Sequence, residues 1–142
     1  MHFPAVSWVA LSTEITVYGD AENEYWVTVQ VNGFQLKAQI DTGMTQPSCV
    51  VGLGLRADDF ERLALMLPPA GSVQQLTGTP LPVSVPMLSG RVSIEGLDNT
   101  EIETNIARLS DNLLGVCYFH HLPEFELYWD FAARAMTIRR KS

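Results

Sequence analysis

Residues 25–44 read YWVTVQVNGFQLKAQIDTGM. Apolar and polar side chains alternate on both sides of Asn32-Gly33, a dipeptide typical of two-residue hairpin turns. This alternation predicts two antiparallel strands, each with one buried face. The second strand then stops at Asp41, Thr42 and Gly43, which are residue types common in turns. The three residues therefore form either an ordinary turn or a turn that holds a carboxylate at a strand end for chemistry.

The sequence on either side of this hairpin predicts more short strands and little helix. Asp58 and Glu61 have the spacing of a capping box, which predicts that Asp58 caps the helix DFERLALML (59–67) and that Pro68-Pro69 ends it. The last two strands are expected to form a closing hairpin. Strands are predicted in TEITVYG (13–19), PSCVVGLGL (47–55), SVQQLTG (72–78), LPVSVPML (81–88), GRVSIEGL (90–97), EIETNIARL (101–109), FELYWDF (125–131) and AMTIRR (135–140), with one or two helical turns in NLLGVCYFHHL (112–122).

Length and composition describe an acidic globular protein. A chain of 142 residues with 46% hydrophobic and 18% charged residues predicts one folded domain, residues 1–142. Its net charge of -7 argues against nucleic-acid or anionic-membrane partners, which need clustered Lys and Arg. The sequence shows neither a signal peptide nor an apolar run of membrane-span length, so we expect a cytoplasmic protein. This expectation leaves open a parent protein trimmed of a membrane anchor.

The cysteines and histidines predict neither a disulfide nor a metal site. Cys49 and Cys117 match no CxxC pattern, and without an export signal we expect two reduced, buried thiols. His120 and His121 are adjacent, so they point in different directions and make poor joint ligands. No G-x-S-x-G elbow or phosphate-binding loop is present. We expect neither a metal nor a cofactor.

The Asp41 turn, taken with two later segments, resembles a known family of enzymes. A hydrophobic strand ending in Asp-Thr-Gly is similar to the active-site signature of aspartic proteases. NLLGVCYF (112–119) looks like the segment that passes beneath the active-site loop in these enzymes, and ELYWDFAARAMTIR (126–139) resembles their closing strand pair. The three segments follow one another in the order that the family has.

The chain carries a single Asp-Thr-Gly, whereas pepsin-like enzymes carry two such motifs. It therefore resembles the retropepsin-like branch, in which each subunit gives one Asp. The resemblance implies an all-β, closed, barrel-like fold with one or two short helices. It also implies a homodimeric aspartic endopeptidase that acts on a peptide or protein substrate, with the second carboxylate supplied by a two-fold axis.

The resemblance assigns a role to each matching position. Asp41 is the catalytic residue, and Gly43 is expected to let the loop backbone approach its symmetry mate and to adopt a φ that a Cβ would forbid. Met44 departs from the family, which has a small residue there, and is expected to crowd the loop or line the cleft. The remaining assignments are Thr42, Gly43, Met44 and Thr45 in the active-site loop, Leu76, Thr77, Gly78 and Thr79 as flap candidates, and Leu113, Leu114 and Gly115 as the supporting loop. An ordinary surface hairpin stays open as the alternative to the flap.

Two other interpretations stay open. The first is a catalytically inactive homodimer of the same fold that binds peptides by strand addition at its sheet edges. The second is an unrelated β-sandwich or jelly-roll binding domain in which residues 41–43 are only a turn.

Overall fold

The computed structural model describes residues 12–44, 48–75 and 83–141. The described residues form ten strands and two short helices, which confirms the predicted mainly β class. No helix in this part of the chain is long and apolar enough to cross a membrane. In chain order the elements are β1 (Glu14–Tyr18), β2 (Trp26–Val31), β3 (Phe34–Asp41), β4 (Val51–Leu55), α1 (Ala57–Ala64), β5 (Pro69–Gln75), β6 (Val83–Ile94), β7 (Ile102–Arg108), β8 (Leu113–Gly115), α2 (Val116–His120), β9 (Phe125–Asp130) and β10 (Ala135–Arg140).

Six of the strands close into a barrel. They are hydrogen-bonded in the order β2-β3-β8-β4-β7-β6, and β6 returns to pair with β2. β5 pairs with the first half of β6 and adds a hairpin to the barrel. Closure removes the open edges that a flat sheet would leave. The predicted closed barrel is confirmed, and the β-sandwich alternative is wrong.

The β2–β3 hairpin has the turn that its sequence predicts. Asn32 and Gly33 connect the strands with φ values of 49° and 88°. Two consecutive positive φ values are the mark of a type I′ turn, whose twist matches that of the flanking strands. The alternate residues Val27, Val29 and Val31 point into the core and are almost fully buried.

The barrel interior is filled by aliphatic side chains and one tyrosine. Leu53, Ile106 and Leu114 have no exposed surface and lie in one cluster with Tyr118 from α2. The Tyr118 hydroxyl donates to the carbonyl oxygen of Thr100 at 2.5 Å. Burial raises the pKa of this phenol, so the hydroxyl keeps its proton and its hydrogen bond.

A three-stranded sheet, ordered β1-β10-β9, packs against the barrel. Met136 and Ile138 on β10 are buried in the main core cluster, which joins this sheet to the barrel. The hydroxyls of Thr16 and Thr137 lie 2.8 Å apart on the exposed face. β9 and β10 are antiparallel neighbours, so the predicted closing hairpin is confirmed.

The predicted capping box is wrong. The helix begins at Ala57, and Arg56 occupies the cap position without a side-chain cap bond. Asp58 lies inside the first turn, where its Oδ1 accepts a hydrogen bond from the Asp59 N–H at 2.9 Å. An acidic residue there still interacts favourably with the helix dipole. The helix also stops at Ala64, well before Pro68.

The two strands predicted at 81–88 and 90–97 are one strand, β6. Gly90, which the sequence presents as a break, is buried at the centre of β6. A Cβ built on it would lie 3.0 Å from Ile106 Cδ1 and 3.3 Å from Val31 Cγ1. Gly90 thus allows close packing inside the barrel and does not end the strand.

Candidate active site

Asp41 is the last residue of β3, and its neighbour across the sheet is Gly115 of β8. The two strands run parallel, with Ile40 opposite Leu114 and Asp41 opposite Gly115. Ile40 and Leu114 are buried in the main core cluster, which fixes this register just before the chain leaves the sheet. The barrel therefore brings together the active-site loop and the supporting segment Leu113–Gly115 that the sequence predicted.

The Asp41 side chain is half-buried and is oriented by the turn that follows it. Its Oδ1 accepts a hydrogen bond from the Gly43 backbone N–H at 2.8 Å. The Met44 N–H donates to the Asp41 carbonyl oxygen at 3.3 Å. An aspartate that binds the backbone two residues later forms an Asx turn. This turn fixes the direction of one carboxylate oxygen. The next two residues, Thr42 and Gly43, are exposed.

The prediction of an unusual backbone φ at Gly43 is wrong. Gly43 is not among the described glycines with a positive φ, which are Gly33, Gly71 and Gly96. A Cβ at Gly43 would instead lie 3.2 Å from Asp41 Oδ1. The position is restricted because the carboxylate lies so close to the loop, and no unusual backbone conformation is involved.

Met44 packs inward, onto Gly115. A Cβ built on Gly115 would lie 3.0 Å from the Met44 carbonyl oxygen and 3.1 Å from its Cγ and Sδ. Met44 also contacts a small second cluster that joins the loop to the base of the β5–β6 hairpin. The long, flexible side chain fills this space without a clash, as methionine commonly does. The buried members of the second cluster are Val51, Val85, Met87 and Ala107.

Asn112 lies directly before β8 and forms hydrogen bonds to β3 and to α1. The sequence alone did not indicate this role of Asn112. Its side-chain NH₂ donates to the Lys37 carbonyl oxygen of β3 at 3.2 Å and to Asp59 Oδ2 of α1 at 2.9 Å. Its Oδ1 accepts from the Arg56 N–H at 2.9 Å, so it satisfies a free N–H at the start of the helix. Its backbone oxygen accepts from the Gln39 N–H at 2.9 Å. Asn112 thus aligns β3 with β8 directly before Asp41 and Gly115.

Five predicted site residues lie outside the described residues: Leu76, Thr77, Gly78, Thr79 and Thr45. The strands around the flap candidates are described. β5 and β6 are antiparallel and remain paired up to Gln75 and Val83. The segment 76–82 therefore connects two strands of a hairpin, which is the connection that a flap requires.

Cys49 and Cys117 form a disulfide, so the prediction of two reduced thiols is wrong. Their Cα atoms are 4.9 Å apart, although 68 residues separate them along the chain. Cys117 is fully buried in α2, shortly after Gly115, and Cys49 is half-buried just before β4. The bond links the chain beyond the Asp41 turn to the chain beyond β8. No local pattern could show this pairing, because the barrel itself brings the two residues together.

Sequence comparisons identify no relative. No protein-family model matches the chain. A search of curated protein sequences also finds no match.

Comparison with solved structures finds proteins of similar fold. A crystal structure of a retropepsin-like aspartic protease from Rickettsia conorii matches 89% of this chain over 90% of its own, with a TM-score of 0.60 and 17% identity. The EIAV protease in complex with the inhibitor HBY-793 matches 75% of this chain over 95% of its own, with a TM-score of 0.51 and 19% identity. Both solved structures are of proteases. The chain has the retropepsin-like aspartic protease fold.

Proposed function

We propose that this chain is an aspartic endopeptidase, a single-domain hydrolase of peptide bonds that works as a homodimer. The observation that carries the proposal is the Asp41 turn. It holds a half-buried carboxylate at the end of a barrel strand, oriented by the Gly43 N–H and followed by the exposed residues Thr42 and Gly43. The retropepsin-like fold supports the same reaction, since the two solved structures that share it are proteases. The substrate is a peptide or a protein.

The reaction needs a second carboxylate, and the proposed source is Asp41 of a second copy. Acid–base hydrolysis without a covalent intermediate uses one group to take a proton from water and another to donate to the carbonyl. The chain has only one Asp-Thr-Gly. A two-fold axis beside the exposed Thr42 and Gly43 would supply the same turn twice.

The proposed dyad performs both roles because it shares one proton. Two carboxylates about 3 Å apart cannot both ionise, a property well known for aspartic proteases. The ionised Asp41 takes a proton from a water molecule held between the two side chains. The protonated Asp41 donates a hydrogen bond to the scissile carbonyl, whose oxygen gains negative charge as the water attacks. The proton that the ionised Asp41 took from water then passes to the amine nitrogen as the C–N bond breaks, which leaves a free acid and a free amine.

The other predicted residues are proposed to position this dyad and the substrate. Thr42 links the two loops beneath the carboxylates through its hydroxyl, and Met44 and Thr45 continue the loop. Leu113, Leu114 and Gly115 support the loop from β8, in keeping with the Asp41–Gly115 pairing. The flap candidates Leu76, Thr77, Gly78 and Thr79 would cover the bound substrate and exclude water.

The cytoplasmic location stays a proposal. The sequence predicts it from the lack of a signal-peptide pattern and of an apolar run of membrane-span length. If the protein is cytoplasmic, we expect the Cys49–Cys117 disulfide to be transient and to sense the redox state, because cytosolic disulfides usually behave in this way.

Cleavage is expected to peak on the acidic side and to fall as the pH rises toward neutrality. The dyad works while it carries one proton in total, and loss of that proton leaves no donor for the carbonyl. Two copies with a net charge of -7 each also repel one another more strongly as further carboxylates ionise. The test is kcat/KM for a peptide pool from acidic to neutral pH, with and without a metal chelator. A flat profile, or inhibition by the chelator, would contradict the dyad.

A further inference from the structure

We propose that the Cys49–Cys117 disulfide is a thiol-exchange site, at which a small hydrophilic thiol forms a mixed disulfide with Cys49 and loosens the Asp41 loop. The site is a modification site distinct from the carboxylate chemistry. Its effect on cleavage rests on the proposed function, whereas the exchange itself does not.

An open cavity lies beside Cys49, the half-buried partner of the bond. The cavity has a volume of about 390 Å³, and Cys49 and His121 contribute to its wall. Its other lining residues are mainly polar and include Ser48, Glu103 and Asn105. A space of this size and polarity suits a hydrophilic thiol of low molecular weight.

The two sulfur-bearing residues differ in exposure, which gives the exchange a direction. Cys49 is half-buried and lines the cavity, whereas Cys117 has no exposed surface. Thiol–disulfide exchange requires that the attacking sulfur reach its target. An external thiol can therefore attack Cys49 Sγ, and Cys117 is the leaving group.

The proposed exchange needs no reagent other than the thiol itself. The incoming thiolate forms a bond to Cys49 Sγ, the bond between Cys49 and Cys117 breaks, and Cys117 leaves with the electron pair and takes up a proton. His121 Nε2 lies 3.1 Å from the Cys49 carbonyl oxygen. With its proton on Nε2, the ring donates to that carbonyl and keeps Nδ1 as an acceptor for the proton of the incoming thiol. A second thiol molecule can then release Cys49 as a free thiol and leave as its own disulfide.

The bond closes a ring around the proposed catalytic residue. Asp41 pairs with Gly115, Cys117 follows Gly115 in the chain, and Cys49 follows Asp41. With the bond intact, both ends of the Asp41 loop are fixed to the β3–β8 pair. Once it opens, the end at Cys49 loses its link to α2 and is held through β4 and the His121 hydrogen bond. Displacements of about 1 Å near reacting groups commonly cost ~100-fold in rate. We expect a reversible loss of cleavage of about tenfold or more.

The test uses the full chain, purified without reductant, and glutathione as the probe. The protein is incubated with reduced glutathione under native conditions, quenched with acid, alkylated and mapped by mass spectrometry. We expect glutathione on Cys49 and the alkylating group on Cys117. Hydrogen exchange of residues 41–44 and 113–115 should increase, a readout that needs no peptidase activity. Glutathione on Cys117, no adduct, or two alkylated cysteines in the untreated protein would overturn the proposal.

Two variants separate exchange from unfolding. Cys117→Ala leaves Cys49 beside the cavity and should take up glutathione from glutathione disulfide while its circular dichroism stays native. Cys49→Ala leaves only the buried Cys117 and should take up none until denaturant is added. Equal labelling of the two variants under native conditions would show that exposure does not direct the exchange, which would also overturn the proposal.

Discussion

Replacing Asp41 with Asn is expected to abolish peptide cleavage while leaving the fold intact. The amide cannot take a proton from water or share one with its partner, and acid–base roles typically contribute ~10²–10⁴-fold to the rate. Because both roles are lost together, kcat/KM should fall by several orders of magnitude. The amide oxygen can still accept from the Gly43 N–H, so the turn is kept.

The stability of the Asp41→Asn variant should equal or exceed that of the parent. Two facing carboxylates repel, and the proton that they must share costs folding free energy wherever the unfolded chain would release it. Asn removes that cost. Thermal unfolding of parent and variant at neutral pH measures the difference.

Asp130→Asn is the matched control. Asp130 also ends a strand, β9, and its Oδ1 accepts from the Ala133 N–H at 3.1 Å. An aspartate that matters only as a turn residue should tolerate Asn, so this variant should keep full cleavage. Cleavage that survives in Asp41→Asn would remove Asp41 from the mechanism. Cleavage of a broad peptide library by neither parent nor variant would favour the inactive peptide-binding dimer.

Gly115→Ala is expected to lower kcat/KM by about 100-fold and the free energy of unfolding by about 1–3 kcal/mol. The new Cβ would lie 3.0 Å from the Met44 carbonyl oxygen. A backbone atom cannot rotate away as a side chain can, so the loop that carries Asp41 has to move. Kinetics on a cleaved peptide and thermal unfolding together measure the two effects.

Two further variants test the cause of this loss. Gly90→Ala crowds only side chains, those of Ile106, Leu67 and Val31, so it should lower stability with little effect on cleavage. Adding Met44→Ala to Gly115→Ala removes the Cγ and Sδ contacts but not the carbonyl contact, and should restore only part of the activity. Full activity in Gly115→Ala would show that the close approach of the two loops is unimportant.

The parts of the fold that sequence predicted are those with local causes. Asn32-Gly33 determines its own turn, and the alternation around it determines which faces are buried. The parts that it missed depend on residues far apart in the chain. Gly90 looks like a strand end until Ile106 is packed against it, and Arg56 replaces Asp58 at the helix start with Asn112 bound to its N–H.

The candidate site likewise combines features with local causes and features that depend on residues far apart in the chain. The Asp41 turn could be predicted from its own short pattern, whereas the Leu113–Gly115 segment is identified only through the family resemblance. Their pairing required the resemblance, since parallel strands are joined only through the rest of the barrel. The direction of the Met44 side chain and the Cys49–Cys117 bond could not be predicted, because both follow from packing between distant segments.

The most direct test of the central claim is to mix the parent chain with the Asp41→Asn variant. A fixed amount of parent receives increasing amounts of variant under conditions where sedimentation shows dimers and subunits exchange. If the two carboxylates come from two copies, mixed dimers are inactive, and an equal amount of variant should lower total cleavage to about half, with further loss as variant is added. Cleavage that stays constant whatever the amount of added variant would show that one chain acts alone, and would contradict the shared dyad.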